Sequence, residues 1–131
     1  MDFQEIYKYD IFANETGAKI VELSDECAIM ELTVEKRHLN AGKSAHGGVI
    51  FLLADITMAA RANCRQIGSV SIQSDIRYFA AALEGDTLRA KAVEVFGRKS
   101  LYNCRTEITN QNGDLVAVAE GMFYVKKSFS V

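Results

Sequence analysis

The N-terminal part of the chain contains two different apolar patterns. Phe3, Ile6, Tyr7 and Ile11 recur at helical intervals, which predicts a short amphipathic helix. The runs "AKIVEL" and "CAIMELTV" that follow are rich in β-branched and apolar side chains, and the turn-forming Ser24-Asp25-Glu26 separates them. This second pattern predicts a β-hairpin.

A long apolar segment follows the hairpin. The stretch "AHGGVIFLLADITMAARANC" is apolar on nearly every face of a helix, which predicts a helix from about Gly48 to Gln66 with Gly68 as the C′ residue that ends it. A helix of this kind has to be covered on nearly all sides.

The remainder of the chain reads as strands. The segments "VSIQSDIRYF", "DTLRAKAVEVF", "SLYNCRTEITN" and "LVAVAEGMFYV" predict three or four antiparallel strands, and Asn112-Gly113 predicts a two-residue hairpin turn before the last of them. We therefore predict an α+β fold in which one curled antiparallel sheet wraps around one long helix. The open face of the helix predicts a second copy of the chain and a homo-oligomer built from a symmetric dimer.

Composition excludes several classes of protein. The 131 residues predict one domain over 1–131, and a formal net charge of −2 argues against nucleic-acid binding. The apolar runs are too short to cross a bilayer and the first residues do not resemble a signal peptide, so we expect a cytoplasmic protein without membrane association. Three scattered cysteines, two histidines and the absence of nucleotide-binding motifs predict neither a metal site nor a cofactor.

Asp55 stands in the middle of the predicted helix. Its stripe contains Leu52, Ala59 and Ala62, whereas Arg61 and Arg65 lie on the opposite face and cannot pair with it. A buried carboxylate without a partner is costly or takes up a proton. A group from outside the helix therefore has to meet Asp55, either a bound ligand or a neighbouring subunit at a purely structural interface.

His46-Gly47-Gly48 stands where the predicted helix begins. Two residues without Cβ let a ligand oxygen approach the free N–H groups and the positive end of the helix dipole, where an oxyanion would be stabilised. About 10 Å of helix separates this end from Asp55. The Asp of one subunit and the Gly-Gly of another could nevertheless act on one carbonyl across a dimer.

The segment "HLNAGKSAHGGVIFLLADITMAARAN" resembles the signature of hotdog-fold acyl-CoA thioesterases of the PaaI-like, phenylacetate-pathway family. The later segment "EGDTLRAKAVEVFGRKSLYNCRTEITNQNGDLVAVAEGMFYV" is similar to that family's later strands. The resemblance implies hydrolysis of a medium-chain or aromatic acyl-CoA to free acid and CoA, with coenzyme A entering only as part of the substrate. It also implies a homo-oligomer, with a dimer of dimers as the expected form.

The same resemblance assigns roles to particular residues. It implies that Asp55 is the nucleophile or general base, that Gly48 with Gly47 beside it polarises the carbonyl, and that Asn40 and His46 are their positioning neighbours. Ser71 corresponds to a serine or threonine that holds the attacking water in some members, although an ordinary strand residue is an equal reading. The basic turn Arg98-Lys99 corresponds to a site near the coenzyme A phosphates.

Two other functions remain open at this point. A non-catalytic acyl-CoA-binding or sensing protein could retain the same fold. Hotdog dehydratases and hydratases are a further class, but the predicted helix has no second histidine to support them.

Overall fold

The computed structural model describes residues 2–64 and 68–126 of this single chain. Three α-helices and six β-strands follow one another in the order α1, α2, β1, β2, α3, β3, β4, β5, β6. Their bounds are α1 Phe3–Tyr7, α2 Ile11–Thr16, β1 Lys19–Leu23, β2 Ala28–Thr33, α3 Gly47–Asn63, β3 Ser69–Tyr78, β4 Thr87–Arg98, β5 Leu101–Thr109 and β6 Leu115–Val125.

The strands form one antiparallel sheet in the order β1-β2-β4-β5-β6-β3, and it is not closed into a barrel. Helix α3 packs against the inner face of β2, β4, β5, β6 and β3. This is the curled sheet around one long helix that the sequence predicts, and it has the hotdog arrangement. Strands β1 and β3 are the two edges of the sheet.

Small residues on the inner face let α3 approach the sheet closely. Ala90 and Ala92 of β4 and Ala117 and Ala119 of β6 are buried there. Gly121 continues this row, and a Cβ on it would stand 3.3 Å from the Met58 sulfur of α3. Residues that alternate with this row, such as Lys91 and Glu120, face solvent on the outer side of the sheet.

The ends of α3 differ from the prediction. The helix begins at Gly47, one residue earlier than expected, and ends at Asn63. The Asn63 side-chain oxygen accepts hydrogen bonds from the Gly68 and Ser69 N–H groups, at 3.0 and 2.9 Å, which ties the helix end to the start of β3. Gly68 has a positive φ of 126° but is not the C′ residue, and the predicted end at Gln66 lies outside the described residues.

The N-terminal segment forms two short helices instead of one. Asp2 caps α1 and Asp10 caps α2, each by accepting a backbone hydrogen bond through its side chain, so the chain restarts a helix at Ile11. Phe3 and Tyr7 are buried as predicted, but Ile11 is exposed. The predicted apolar stripe is therefore buried only in the first helix.

The turn between β5 and β6 is longer than the predicted two residues. Residues 110–114 form it, and the Asn110 side-chain oxygen accepts hydrogen bonds from the N–H groups of Asn112 and Asp114. Gly113 supplies the positive φ, at 82°. The predicted hairpin is therefore confirmed. Its turn is longer than two residues because the Asn110 side chain closes an additional turn by accepting backbone hydrogen bonds.

None of the helices in the described ranges is long and apolar enough to cross a membrane.

Candidate active site

His46 caps the first turn of α3. Its Nδ1 accepts a hydrogen bond from the Gly48 N–H at 3.0 Å, which satisfies one of the free donors of the helix N-terminus. The Gly47 N–H has no acceptor among the residues that the structure describes. In the single chain, the Gly48 N–H, which the sequence predicts as the donor to the substrate carbonyl, is thus bonded to the His46 imidazole. The Gly47 N–H is available among the described residues.

A cleft of about 420 Å³ opens beside this helix end. Its walls come from α2, the short 3-10 helix Lys36–His38, His46 and the first turns of α3. The lining residues are Phe12, Glu15, Thr16, Arg37, His38, His46, Gly48, Val49 and Leu52. The apolar side chains of Phe12, Val49 and Leu52 suit an acyl chain, and the polar groups near the helix N-terminus suit its carbonyl.

Arg37 and His38 contact the backbone of α2 and so connect two walls of the cleft. Arg37 forms an ion pair with Glu35 at 2.7 Å and donates to the Glu15 carbonyl. The buried His38 accepts from the Glu35 N–H at 2.9 Å through Nδ1, and its Nε2 lies 2.8 Å from the Thr16 carbonyl oxygen. Both ring nitrogens of His38 are therefore used by the backbone, which gives this histidine a structural role.

Asp55 lies on the side of α3 that the sheet does not cover. It is half-buried, as are Leu52, Ala59 and Ala62, which share its stripe as the sequence predicts. Burial raises the pKa of the Asp55 carboxyl above its usual value, and the negative charge of Asp10 raises it further. Asp55 makes no hydrogen bond or ion pair with any residue in the ranges 2–64 and 68–126.

Arg61 is buried on the opposite side of the helix. It donates to the Asp25 carbonyl at 2.8 Å and to the Cys64 sulfur at 3.2 Å. The predicted separation of Asp55 and Arg61 is therefore confirmed. Arg65 lies outside the described residues.

Asn40 organises the loop that leads to α3. Its side-chain oxygen accepts from the N–H groups of Gly42 and Ser44, at 2.9 and 3.2 Å, and its own N–H donates to the Ser44 carbonyl. Asn40 is exposed and lies outside the lining of the cleft. Within one chain its contacts are those of a loop-forming residue.

The other predicted residues lie apart from the cleft. Ser71 is exposed on the edge strand β3, with its hydroxyl 3.1 Å from that of Ser74. Arg98 ends β4 and Lys99 follows in the tight turn to β5 with a positive φ of 53°. Both basic side chains are exposed. A single chain thus brings His46, Gly47 and Gly48 together, and leaves Ser71, Arg98 and Lys99 elsewhere on its surface.

The sequence did not predict that Phe12 and Arg37 line the cleft. The alternation of β3 in the sequence makes Tyr78 a candidate for the pocket lining. In the structure Tyr78 donates a hydrogen bond to the Gly47 carbonyl oxygen at 2.8 Å. The sequence held no comparable signal for Phe12 and Arg37, because their position depends on how α2 folds back onto α3.

No group of three or more His, Cys, Asp or Glu side chains in the described part of the chain could hold a metal ion.

Sequence comparison finds similar proteins among esterases and thioesterases. A putative esterase of Archaeoglobus fulgidus is 36% identical over 119 residues, covering 91% of this chain and 77% of its own. The acyl-coenzyme A thioesterase PaaI of Escherichia coli is 31% identical over 116 residues, covering 88% of this chain and 83% of its own.

Two solved structures extend the comparison. The E. coli PaaI protein from the phenylacetic acid degradation operon superposes with a TM-score of 0.92 at 29% identity, over 95% of this chain and 91% of that one. A hypothetical thioesterase from Streptococcus pneumoniae, solved with coenzyme A, gives a TM-score of 0.88 at 25% identity over 97% and 99%. Residues 42–117, from the loop before α3 into β6, match the thioesterase superfamily, and the chain belongs to that family.

Proposed function

We propose that this chain is an acyl-CoA thioesterase that hydrolyses medium-chain or aromatic acyl-CoA to the free acid and CoA. Membership of the thioesterase superfamily supports the reaction type, and similarity to the E. coli acyl-coenzyme A thioesterase supports the substrate class. The observation that carries the proposal is the uncovered stripe of α3. It begins at a glycine-rich N-terminus and contains a desolvated carboxylate without a partner in the described chain.

The start of α3 binds the thioester carbonyl in this proposal. The positive end of the helix dipole and the N–H groups of Gly47 and Gly48 converge there, and neither glycine has a Cβ to keep the substrate oxygen away. Negative charge that develops on that oxygen during attack is stabilised more than the ground-state carbonyl. His46 orients the Gly48 N–H and yields it to the substrate.

Asp55 supplies the base or the nucleophile. As a base, it removes a proton from water while the oxygen of that water bonds to the carbonyl carbon. The tetrahedral intermediate then collapses, the C–S bond breaks, and the leaving sulfur takes the proton back from Asp55. As a nucleophile, Asp55 would form an acyl anhydride as the C–S bond breaks and the CoA thiolate leaves. Water would then hydrolyse the anhydride to the acyl acid and the Asp55 carboxylate, and the proton released would go to the thiolate.

A second copy of the chain completes the site. Seven positions along α3 separate Gly48 from Asp55, which corresponds to about 10 Å and is too far for one reacting carbonyl. The partly exposed stripe of α3 and the edge strand β3, which has β6 on one side only, are surfaces that a symmetric partner would cover. In such a dimer, Asp55 of one subunit faces Gly47 and Gly48 of the other. Ser71, Arg98 and Lys99 take part in the proposal only in this assembly, where they meet the water and the CoA phosphates, and a dimer of dimers is its expected form.

Thiol release from a panel of acyl-CoAs tests the proposal. The panel runs from acetyl to dodecanoyl and includes benzoyl and phenylacetyl, and each is assayed with wild type, Asp55→Asn and Asp114→Asn. Asp114 is an exposed carboxylate in the turn between β5 and β6, so its variant controls for the loss of one charge. We expect Asp55→Asn to lose at least about a hundredfold in kcat and Asp114→Asn to remain active.

Either of two results would refute the proposal. One is a wild type that binds acyl-CoA without releasing thiol, which would identify a binding or sensing protein. The other is an Asp55→Asn variant as fast as wild type. Light scattering on the same samples tests the dimer.

A further inference from the structure

The side chain of Tyr78 reaches from the edge strand β3 to the first turn of α3. Its hydroxyl donates a hydrogen bond to the Gly47 carbonyl oxygen, and the two oxygens are 2.8 Å apart. A Cβ on Gly47 would stand 3.1 Å from the tyrosine oxygen and 3.3 Å from its Cζ. A side chain at position 47 would therefore press against the tyrosine ring and force a shift of a few tenths of an ångström, which the glycine avoids.

The bonded carbonyl belongs to the same peptide group as the Gly48 N–H. A peptide group is planar, so a hydrogen bond that fixes its carbonyl also fixes the direction of its N–H. The bond draws electron density toward the carbonyl oxygen, which makes the N–H a stronger donor. At its other end this N–H meets Nδ1 of His46 at 3.0 Å. Tyr78 and His46 thus hold one peptide from opposite sides.

The hydroxyl remains a donor under ordinary conditions. Burial raises the pKa of Tyr78 above its usual value, so the phenol stays protonated and its proton stays available to the Gly47 carbonyl. The direction of the hydrogen bond follows, because a carbonyl oxygen can only accept.

We propose that Tyr78 is a positioning residue for the thioesterase reaction, which orients and polarises the Gly47–Gly48 peptide so that its N–H is directed at the thioester oxygen. This inference rests on the proposed function and adds a residue that acts through the backbone. Because the developing oxyanion depends on its donor more than the ground-state carbonyl does, loss of the hydroxyl lowers kcat and leaves KM nearly unchanged.

Tyr78→Phe removes the hydroxyl and keeps the ring, and Tyr124→Phe is the matched control because Tyr124 is an exposed tyrosine on β6. We expect kcat to fall about tenfold in Tyr78→Phe with KM within about twofold of wild type, and no change in Tyr124→Phe. The Gly48 amide proton should move upfield in the ¹H–¹⁵N spectrum of Tyr78→Phe alone.

The outcomes separate this inference from the proposed function. Thiol release with equal kcat in Tyr78→Phe and Tyr124→Phe would overturn the role of Tyr78 and leave the thioesterase proposal standing. A raised KM with unchanged kcat would also overturn it, since it would show a substrate contact. A lower melting temperature of Tyr78→Phe with unchanged kcat and KM would overturn the inference, because it would show that Tyr78 has only a structural role. Absence of thiol release by the wild type would refute the proposed function itself.

Discussion

Nδ1 of His46 lies 3.0 Å from the amide nitrogen of Gly48 and accepts its hydrogen bond. The residue that begins the His-Gly-Gly motif therefore serves first as the N-cap of α3. For the Gly48 N–H to meet a substrate oxygen, the imidazole has to release or share that bond. The free N–H of the neighbouring Gly47 lets the helix end accept a substrate oxygen before this exchange is complete.

Replacement of His46 by alanine should destabilise the protein. The Gly48 N–H would lose its acceptor, and loss of a side-chain N-cap costs about 1 kcal/mol. His46→Asn should recover most of the free energy of unfolding, because asparagine is a strong N-cap. Urea unfolding of the two variants measures the difference. Equal stability of His46→Ala and wild type would show that the cap contributes nothing.

Asp55 should make the stability of the protein depend on pH. Its pKa is raised in the folded chain above the ordinary value of 3.8, so the folded state holds the proton more tightly than the unfolded state. The contribution is fully present below pH 3.8 and is lost as the pH rises through the folded pKa. Asp55→Asn, which cannot ionise, should therefore melt above wild type at pH 7, and the gap should narrow in acid.

Melting curves of wild type and Asp55→Asn from pH 3.5 to 8 check this sign. Asp114→Asn, at an exposed aspartate in the β5–β6 turn, controls for a general charge effect. A wild type that is more stable than Asp55→Asn at pH 7 would mean that the carboxylate finds a partner in the assembled protein.

The fold could be predicted from the sequence because its periodicities are local. The alternation of Leu88, Ala90 and Ala92 identified the inner face of β4, and the unbroken apolar run identified α3. Boundaries were less predictable, since they depend on side chains that compete for backbone groups. The Asn63 side chain, for example, accepts hydrogen bonds from the N–H groups of Gly68 and Ser69 at the end of the helix. Hydrophobic periodicity cannot predict such a contact.

The site was predictable only where its residues are neighbours in sequence. His46, Gly47, Gly48 and Asp55 lie on one helix, so spacing alone placed them. Phe12 and Arg37 come from two other segments, and their approach to α3 depends on tertiary packing. The alternation of β3 indicated Tyr78 as a pocket candidate, but its hydrogen bond to Gly47 depends on the same packing. For the same reason, the relation of Ser71 or Arg98 to the cleft stays a prediction about an assembly.

The turn between β5 and β6 offers a test of stability that does not involve the site. Gly113 has φ of 82°, and a Cβ on it would meet nothing within 4 Å. Gly113→Ala should therefore cost about 1 kcal/mol through backbone conformation alone, and Gly113→Asn should cost less because asparagine tolerates this region. Urea unfolding measures both variants. An alanine variant as stable as wild type would mean that the turn relaxes to another conformation.

The charge of Asp10 should shift the acid limb of the pH–rate profile to higher pH, in addition to the larger effect of burial. Asp10 is the second cause, after burial, of the raised pKa of Asp55. Asp10→Asn removes the charge, and asparagine can still cap α2 by accepting from the Ala13 N–H, which Asp10 contacts at 2.9 Å.

Since kcat/KM reports the free enzyme's base, its acid limb should move to lower pH in Asp10→Asn. Asp114→Asn is the control, because it removes an exposed charge outside the cleft without being a cause of the Asp55 shift. An equal displacement in both variants would assign the effect to net charge. An unmoved limb in Asp10→Asn would indicate that the group titrating in the profile is not Asp55.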